Sequence, residues 1–387
     1  MRFKHTAITL ALITTLSACG GSGSDDSSTE TPVEPTTGFS FAATEMITNL
    51  TDDVIVAGYA NLAAEGDALL LATQALLSAS ATQADLVAAQ NAWKSAREPW
   101  EQGESHIFGP VDSLSIDPHL DSWPLNTTDL QTQLDNNSGF DAETIKAWND
   151  DVQGFHTMEY LLFGNGVDSN TKLIADLTTS EREYLIALAE VFRDYAVQLD
   201  DAWQVSYNPQ DTNALPYAEL LKTPGDVNNA IYSSQLSVIE ELINGMIGIV
   251  DEVGNGKIAD PFGESLATAD TSKVESQYSW NSLTDFADNI IGVRNVYQGE
   301  FIGSTDKTGV IDFVAAADPA LSTRVASEID DAIISIQAIS GSTDMPFRQA
   351  ILDETGRARV QTAVDALSTL QSSLESDVLP LLSEWNS

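Results

Sequence analysis

From Phe41 onward the chain repeats apolar residues at intervals of three and four, as in Leu86, Ala89, Trp93, Ala96 and Trp100. A period of about 3.6 admits little besides amphipathic α-helix, and strand-like alternation is scarce. The spacing predicts helices at about 42–77, 82–106, 141–162, 179–205, 215–253, 272–298, 320–340 and 355–384. Thr82, Thr179-Ser180 with Glu183, and Asp318-Pro319 offer capping oxygens at helix starts. Gly109-Pro110, Pro209, Pro224-Gly225, Asp260-Pro261-Phe262-Gly263 and Met345-Pro346 punctuate the joins. The expected fold class is therefore all-α, with two helix-bundle domains, four-helix-bundle-like, packed around a central cleft. The first is expected over 39–210 and the second over 211–387, divided near Asn208–Pro216. No fixed-period repeat of the solenoid kind is present.

The first residues read differently. Arg2 and Lys4 precede an apolar run from Ala7 to Leu16, followed by Leu16-Ser17-Ala18-Cys19. That run is too short to span a bilayer as a helix and reads as a signal peptide over 1–18 ending in a lipobox. Small residues let a peptidase seat the chain, and a thiol accepts the acyl group. Cys19, the only cysteine, is thus expected to be the lipid-modified first residue of the mature chain. The alternative is an ordinary cleaved signal whose cysteine is incidental. A lone thiol excludes an intramolecular disulfide. Residues 19–38 are rich in Gly, Ser, Asp, Thr, Pro and Glu, have almost nothing apolar to bury, and are expected to form a flexible tether. Gly20, rather than an aspartate, follows the cysteine, which predicts lipid anchoring at the outer membrane, facing the periplasm or the cell surface. No later segment reads as apolar enough to cross a membrane.

The chain carries 17 basic and 58 acidic residues, a net charge of −41. Such a surface repels nucleic acid and anionic lipid, and it concentrates cations near any cleft. The total charge also fits a salty habitat or simple solubility, so any sharper function must rest on particular carboxylates.

Two segments bring such carboxylates together with other chemistry. In Gly154-Phe155-His156-Thr157-Met158-Glu159-Tyr160-Leu161-Leu162-Phe163-Gly164, a helix puts His156 and Glu159 on one face, where an imidazole nitrogen and a carboxylate oxygen can converge on a cation. The same spacing describes a buried histidine satisfied by its neighbour. In the run from Trp93 to Gly109, Arg97, Glu101 and Glu104 lie four and three apart. Arg97 can pair with Glu101 and leave Glu104 free to face elsewhere, although a solvated salt-bridged face has the same spacing. Between these segments, Gly109 to Asn126 is broken by prolines yet holds Ile116, Leu120, Trp123 and Leu125, the mark of an ordered functional loop.

Taken in order, Trp93…Ala96-Arg97…Trp100…Glu104…Phe108-Gly109, Trp123-Pro124-Leu125, Gly154-x-His156-x-x-Glu159-Tyr160-Leu161-Leu162-Phe163-Gly164, and the later run through Glu275, Tyr278-Ser279-Trp280-Asn281, Asp285-Phe286, Asn289 and Tyr297-Gln298-Gly299 resemble the imelysin family. That family is also described as M75 peptidase-like or insulin-cleaving metalloproteinase-like, and includes iron-regulated proteins of the iron-regulated protein A type. The resemblance runs from about residue 41 to 384 and implies paired helix bundles with the Gly-x-His-x-x-Glu motif in the cleft. It implies a metal site of His156 and Glu159 with Glu104 as a further carboxylate. Arg97 and Trp123 match flanking motifs, and Glu275, Ser279, Asp285 and Asn289 match a second-half motif that would close the cleft.

The peptidase name makes a specific demand. A zincin places two histidines four apart with a glutamate beside the first, but here position 157 is Thr and position 160 is Tyr. His106 and His119 read as loop or helix-end residues. One imidazole among several carboxylates suits a hard cation such as iron, while zinc and copper also accept imidazole. An iron complex whose anionic groups meet Arg97 is a further form of the same cargo. The reading is an envelope-anchored lipoprotein that binds iron or an iron complex for bacterial iron acquisition, with the membrane and an outer-membrane receptor or transporter as partners. Its alternatives are a metallopeptidase of the M75 type, which requires chelator-sensitive proteolysis lost in Glu159→Gln, and a non-catalytic scaffold, which a fully buried His156 would favour.

Overall fold

Several helices in the computed structural model begin where side-chain oxygens take up the first free N–H groups. The structure describes residues 38–386 apart from 209, 212 and 302–306. The signal peptide, Cys19 and nearly all of the tether lie outside the described residues. Thr82 and Asp85 satisfy each other's backbone at the start of one helix, and Asp318 accepts from the backbone of Ala320 and Leu321 at another. The cap expected at Thr179-Ser180 with Glu183 falls instead on Thr178 with Glu181.

The principal helices are α1 (Ala43–Leu77), α2 (Gln83–Gly103), α3 (Ile116–Asp121), α4 (Gly154–Phe163), α5 (Thr179–Gln204), α6 (Gln235–Asp251), α7 (Ser282–Gln298), α8 (Pro319–Ala338) and α9 (Glu354–Ser373). Among the described residues there is no strand, only an isolated bridge between Phe39 and Trp385 that ties the two ends together. The fold is all-α. α1 packs on α2 and α5, and α4 lies against α2, α3 and α5. In the second half, α8 packs on α7 and α9, and α6 on α7 and α9. The two groups meet where α7 crosses α2. Gly292 makes this approach feasible, because a Cβ there would stand 2.1 Å from the Gln102 carbonyl oxygen. Gly38–Ser387 consequently form one compact unit.

Four readings of the sequence need correction. The helix expected over 141–162 is interrupted: Ala142–Lys146 and α4 are separated by an irregular stretch, and α4 starts at Gly154, whose φ of +67° no side chain adopts easily. A Cβ on Gly154 would also sit 2.3 Å from the Leu120 carbonyl oxygen, so glycine is what lets α4 start against α3. The helix expected over 215–253 is split into Tyr217–Lys222 and α6, with Pro224-Gly225 in the intervening loop. The helix expected over 272–298 begins only at Ser282. Ahead of it, residues 274–281 form a loop with Ser276 and Trp280 in the left-handed region, at φ 49° and 63°. Finally, α1 is long and apolar enough by length and composition to cross a membrane. In this fold its Met46, Ile47, Leu50, Val54, Ile55, Tyr59, Leu62 and Leu69 are buried in the core.

The segment 109–126 is ordered around short helices, with Ile116 and Leu120 fully buried. His119 stacks on Tyr195 with ring centres 4.6 Å apart. His106, at the end of the turn that follows α2, is buried edge-on to Tyr59, its Nδ1 3.2 Å from the phenol oxygen. Burial lowers its pKa to about 4. Because the folded value lies below the unfolded 6.5, the unfolded chain binds the extra proton, and this stabilisation is complete above pH 6.5 and lost as pH falls toward 4. The unfolding free energy obtained from denaturant titrations between pH 7.5 and 4 should fall on the order of 3 kcal/mol further in the wild type than in His106→Gln.

Candidate metal centre

α2 turns a charged face inward at its last turns. Arg97, Glu101 and Glu104 follow one another at helical spacing, and all three meet partners from the other half of the chain. Arg97 is completely buried. Its NH1 donates to Asp121 Oδ1 at 2.5 Å, and its NH2 to Glu275 Oε1 at 2.8 Å and Asp285 Oδ2 at 3.2 Å, while Glu101 pairs with NH2 from one turn along the helix. The guanidinium lies 4.8 Å from the Phe155 ring centre. A fixed fork of donors is suited to organising several carboxylates at once.

α4 contributes the histidine. His156 Nδ1 lies 3.2 Å from Glu159 Oε2, and the other oxygen of Glu159 accepts from Tyr278 N, Ser279 N and Ser279 Oγ at 2.9, 2.7 and 2.7 Å. Glu159 is thus saturated and acts as the brace of the imidazole, the role an outer carboxylate takes toward a metal-binding histidine. The opposite nitrogen, Nε2, is 3.1 Å from Asp121 Oδ1, close enough for an ion pair but not aligned for a hydrogen bond, and 3.9 Å from Glu275 Oε1, beyond hydrogen-bond reach. The candidate ligand atoms of Asp121, His156 and Glu275 all lie within 4.8 Å of one another. Trp123 covers the imidazole, ring centres 4.6 Å apart, and Tyr278 stands beyond it at 6.1 Å.

The electrostatics follow from burial and crowding. Burial by itself would raise the Asp121 carboxyl, but Arg97 and the charged His156 imidazole beside it hold it well below the usual carboxylate range. Burial would lower His156, yet Asp121 and Glu159 raise it to about 9. At neutral pH the imidazole holds a proton that a cation would have to displace. Burial pushes Glu104 up to about 8 against the pull of Lys257. Asp285 is likewise raised by burial against Arg97.

The residues singled out in the sequence fall into two groups around Arg97. His156 and Glu159 pair as described, with Ser279 on Glu159 and Trp123 on the imidazole. Glu104 lies apart from that histidine: its Oε2 accepts from Lys257 Nζ at 2.8 Å and Asn289 Nδ2 at 2.6 Å. Asn289 also donates to Glu101, and Asp285 accepts from Ser276 Oγ and from Asn281 Nδ2. Glu275 joins the groups, since it meets Arg97, Lys257 and the His156 edge.

The sequence pattern points to neither Asp121 nor Lys257. Asp121 is the last residue of α3, inside the 109–126 segment, two residues before Trp123. Lys257 is one of only 17 basic residues in so acidic a chain, set in Gly254-Asn255-Gly256-Lys257 within a wide helical turn, Glu252–Ala259, that continues α6.

The imelysin (peptidase M75) family profile matches residues 55–374. The chain belongs to the imelysin family. It is 29% identical over 342 residues to iron-regulated protein A of Synechococcus elongatus, with 87% of each chain covered. Among solved imelysin-like structures, an iron-regulated protein A precursor of Parabacteroides distasonis superimposes with a TM-score of 0.74 at 28% identity, covering 88% of this chain and 94% of that one. An imelysin-like protein of Psychrobacter arcticum shares the fold, with a TM-score of 0.68 at 15% identity over 90% of this chain and 99% of that one.

Proposed function

We propose that this imelysin is an envelope-anchored lipoprotein that binds iron, as an ion or a complex, in bacterial iron acquisition, and that Asp121, His156 and Glu275 form the binding centre. The observation that carries this reading is the buried His156 Nε2, without a hydrogen-bond partner and facing two carboxylate oxygens. A buried ring nitrogen without an aligned hydrogen bond calls for an explanation, and an ion in line with that nitrogen supplies one. Two carboxylates with one imidazole form an oxygen-rich set suited to iron, while zinc and copper would also accept the nitrogen. The iron-regulated relatives agree with iron as cargo. The lipobox at Cys19 agrees with an anchor and Gly20 with outer-membrane sorting, and a receptor or transporter there is the partner this reading expects.

Protein lacking residues 1–19, purified without chelators, should carry iron by elemental analysis and take up Fe(II) or ferric citrate in titration. His156→Ala combined with Glu159→Ala should abolish that uptake. Unchanged uptake in the double variant would remove the centre.

A scaffold role draws support from one observation, the burial of His156 at 1% exposure. It requires that no iron species raise the melting temperature. The peptidase reading gains nothing comparable, since α4 carries no second histidine and places Thr157 beside the first.

A further inference from the structure

A closed centre takes up an ion only if something already there gives way. Glu275 Oε1 is shared, 2.8 Å from Arg97 NH2, 3.4 Å from Lys257 Nζ and 3.9 Å from His156 Nε2. An ion ligated by this oxygen would compete with both cations for it and stand beside both. Arg97 has nowhere to go, being held by Asp121, Asp285 and Glu101 with Phe155 against its face.

Lys257 is held differently. Its compact ammonium rides a flexible stem on the wide turn after α6, a helical irregularity that recurs at functional sites. It touches Glu101 Oε2 at 3.3 Å, Glu104 Oε2 at 2.8 Å and Glu275 Oε2 at 3.2 Å, so it sits where a cation bound by three carboxylates would sit. Of these three, Glu104 also borders a cavity of about 330 Å³, together with Phe108, Glu241 and Glu252. An ammonium leaving Glu275 therefore keeps Glu104 and finds further carboxylates on the cavity side.

We propose that Lys257 is a displaceable internal counterion: it neutralises the carboxylates of the centre, and a multivalent cation entering from the Glu104–Glu241–Glu252 cavity takes Glu275 from it. The inference rests on the cation-binding reading above. It assigns Lys257 a part in selectivity, because an ion of single charge gains too little from the carboxylates to replace an ammonium already among them, whereas a divalent or trivalent ion gains more.

The test uses the full-length chain purified in detergent, with Mn(II) as an air-stable probe and the free ion read by electron paramagnetic resonance. Lys257→Met should bind Mn(II) on the order of tenfold more tightly than the wild type, with a higher affinity for Na⁺ read by competition. In the wild type, acetylation of Lys257 by an N-hydroxysuccinimide ester, followed by mass spectrometry, should run several-fold faster when Mn(II) is saturating than in metal-free protein. The labelling result stands even if the variant does not fold. Equal or weaker binding by a folded Lys257→Met, or labelling that Mn(II) leaves unchanged, overturns the proposal. Binding that disappears in His156→Ala while ignoring Lys257 overturns only the lysine's role. Absence of Mn(II) and Fe(II) binding by the wild type removes the centre and this inference with it.

Discussion

Arg97→Met is expected to destabilise the folded chain by about 3–5 kcal/mol, the usual cost of deleting one member of a buried ionic group. The physical reason is the set of partners left behind. Asp121, Glu275, Asp285 and Glu101 all contact one guanidinium that has no exposure to water. Without it, Glu275 and Glu101 keep Lys257, and Asp285 keeps Ser276 and Asn281, but the cluster holds one cation fewer in a medium that screens poorly. Methionine fills the space and retains contact with Phe155, so the loss reports charge rather than volume. Urea unfolding at pH 7.5 should show a lower midpoint at unchanged slope. Raising the salt concentration should recover little of the loss, because the pairs are buried. A change below about 1 kcal/mol would place this cluster with surface ion pairs instead.

Asp121→Asn is expected to weaken cation binding on the order of 100-fold or more, and Glu159→Gln by only about tenfold. Asparagine keeps the shape of Asp121 and an oxygen for Arg97 or Trp100 Nε1, but it removes the charge 3.1 Å from His156 Nε2. Glutamine at 159 keeps an oxygen for the Tyr278 and Ser279 donors and still reaches His156 Nδ1, so it disturbs only the orientation of the ring. Calorimetric titration with Fe(II) under anaerobic conditions separates the two. Equal losses would make Glu159 a ligand rather than a brace.

The parts of the site that lie within one helix were legible in the sequence. Arg97 to Glu101 and His156 to Glu159 are neighbours by helical spacing, and each pair is in contact in the fold. Lys257 was not legible, because its partners Glu101 and Glu104 lie more than 150 positions away. Asp121 lay in view in a marked segment, yet nothing in its surroundings signalled that it would meet Arg97 and His156. The helix expected over 272–298 failed for a related reason. Apolar periodicity cannot register a loop whose left-handed Ser276 and Trp280 are held by contacts made elsewhere, such as Trp280 Nε1 on the Gly166 carbonyl and the Ser279 backbone on Glu159.

The sequence by itself determined the helical class, the charge of the molecule, the local pairs on α2 and α4, and through its ordered motifs the family. The helical class and the local pairs depend on spacing along one chain segment, which a 3.6-residue period encodes directly, and the charge depends on composition alone. Only the tertiary structure decided that Glu159 braces the histidine, that Asp121 and Glu275 face its opposite nitrogen, and that Lys257 stands among the carboxylates. Each of these depends on helices that cross, and where two helices cross is set by packing across the whole core, as at Gly292 against Gln102, rather than by any one stretch of residues.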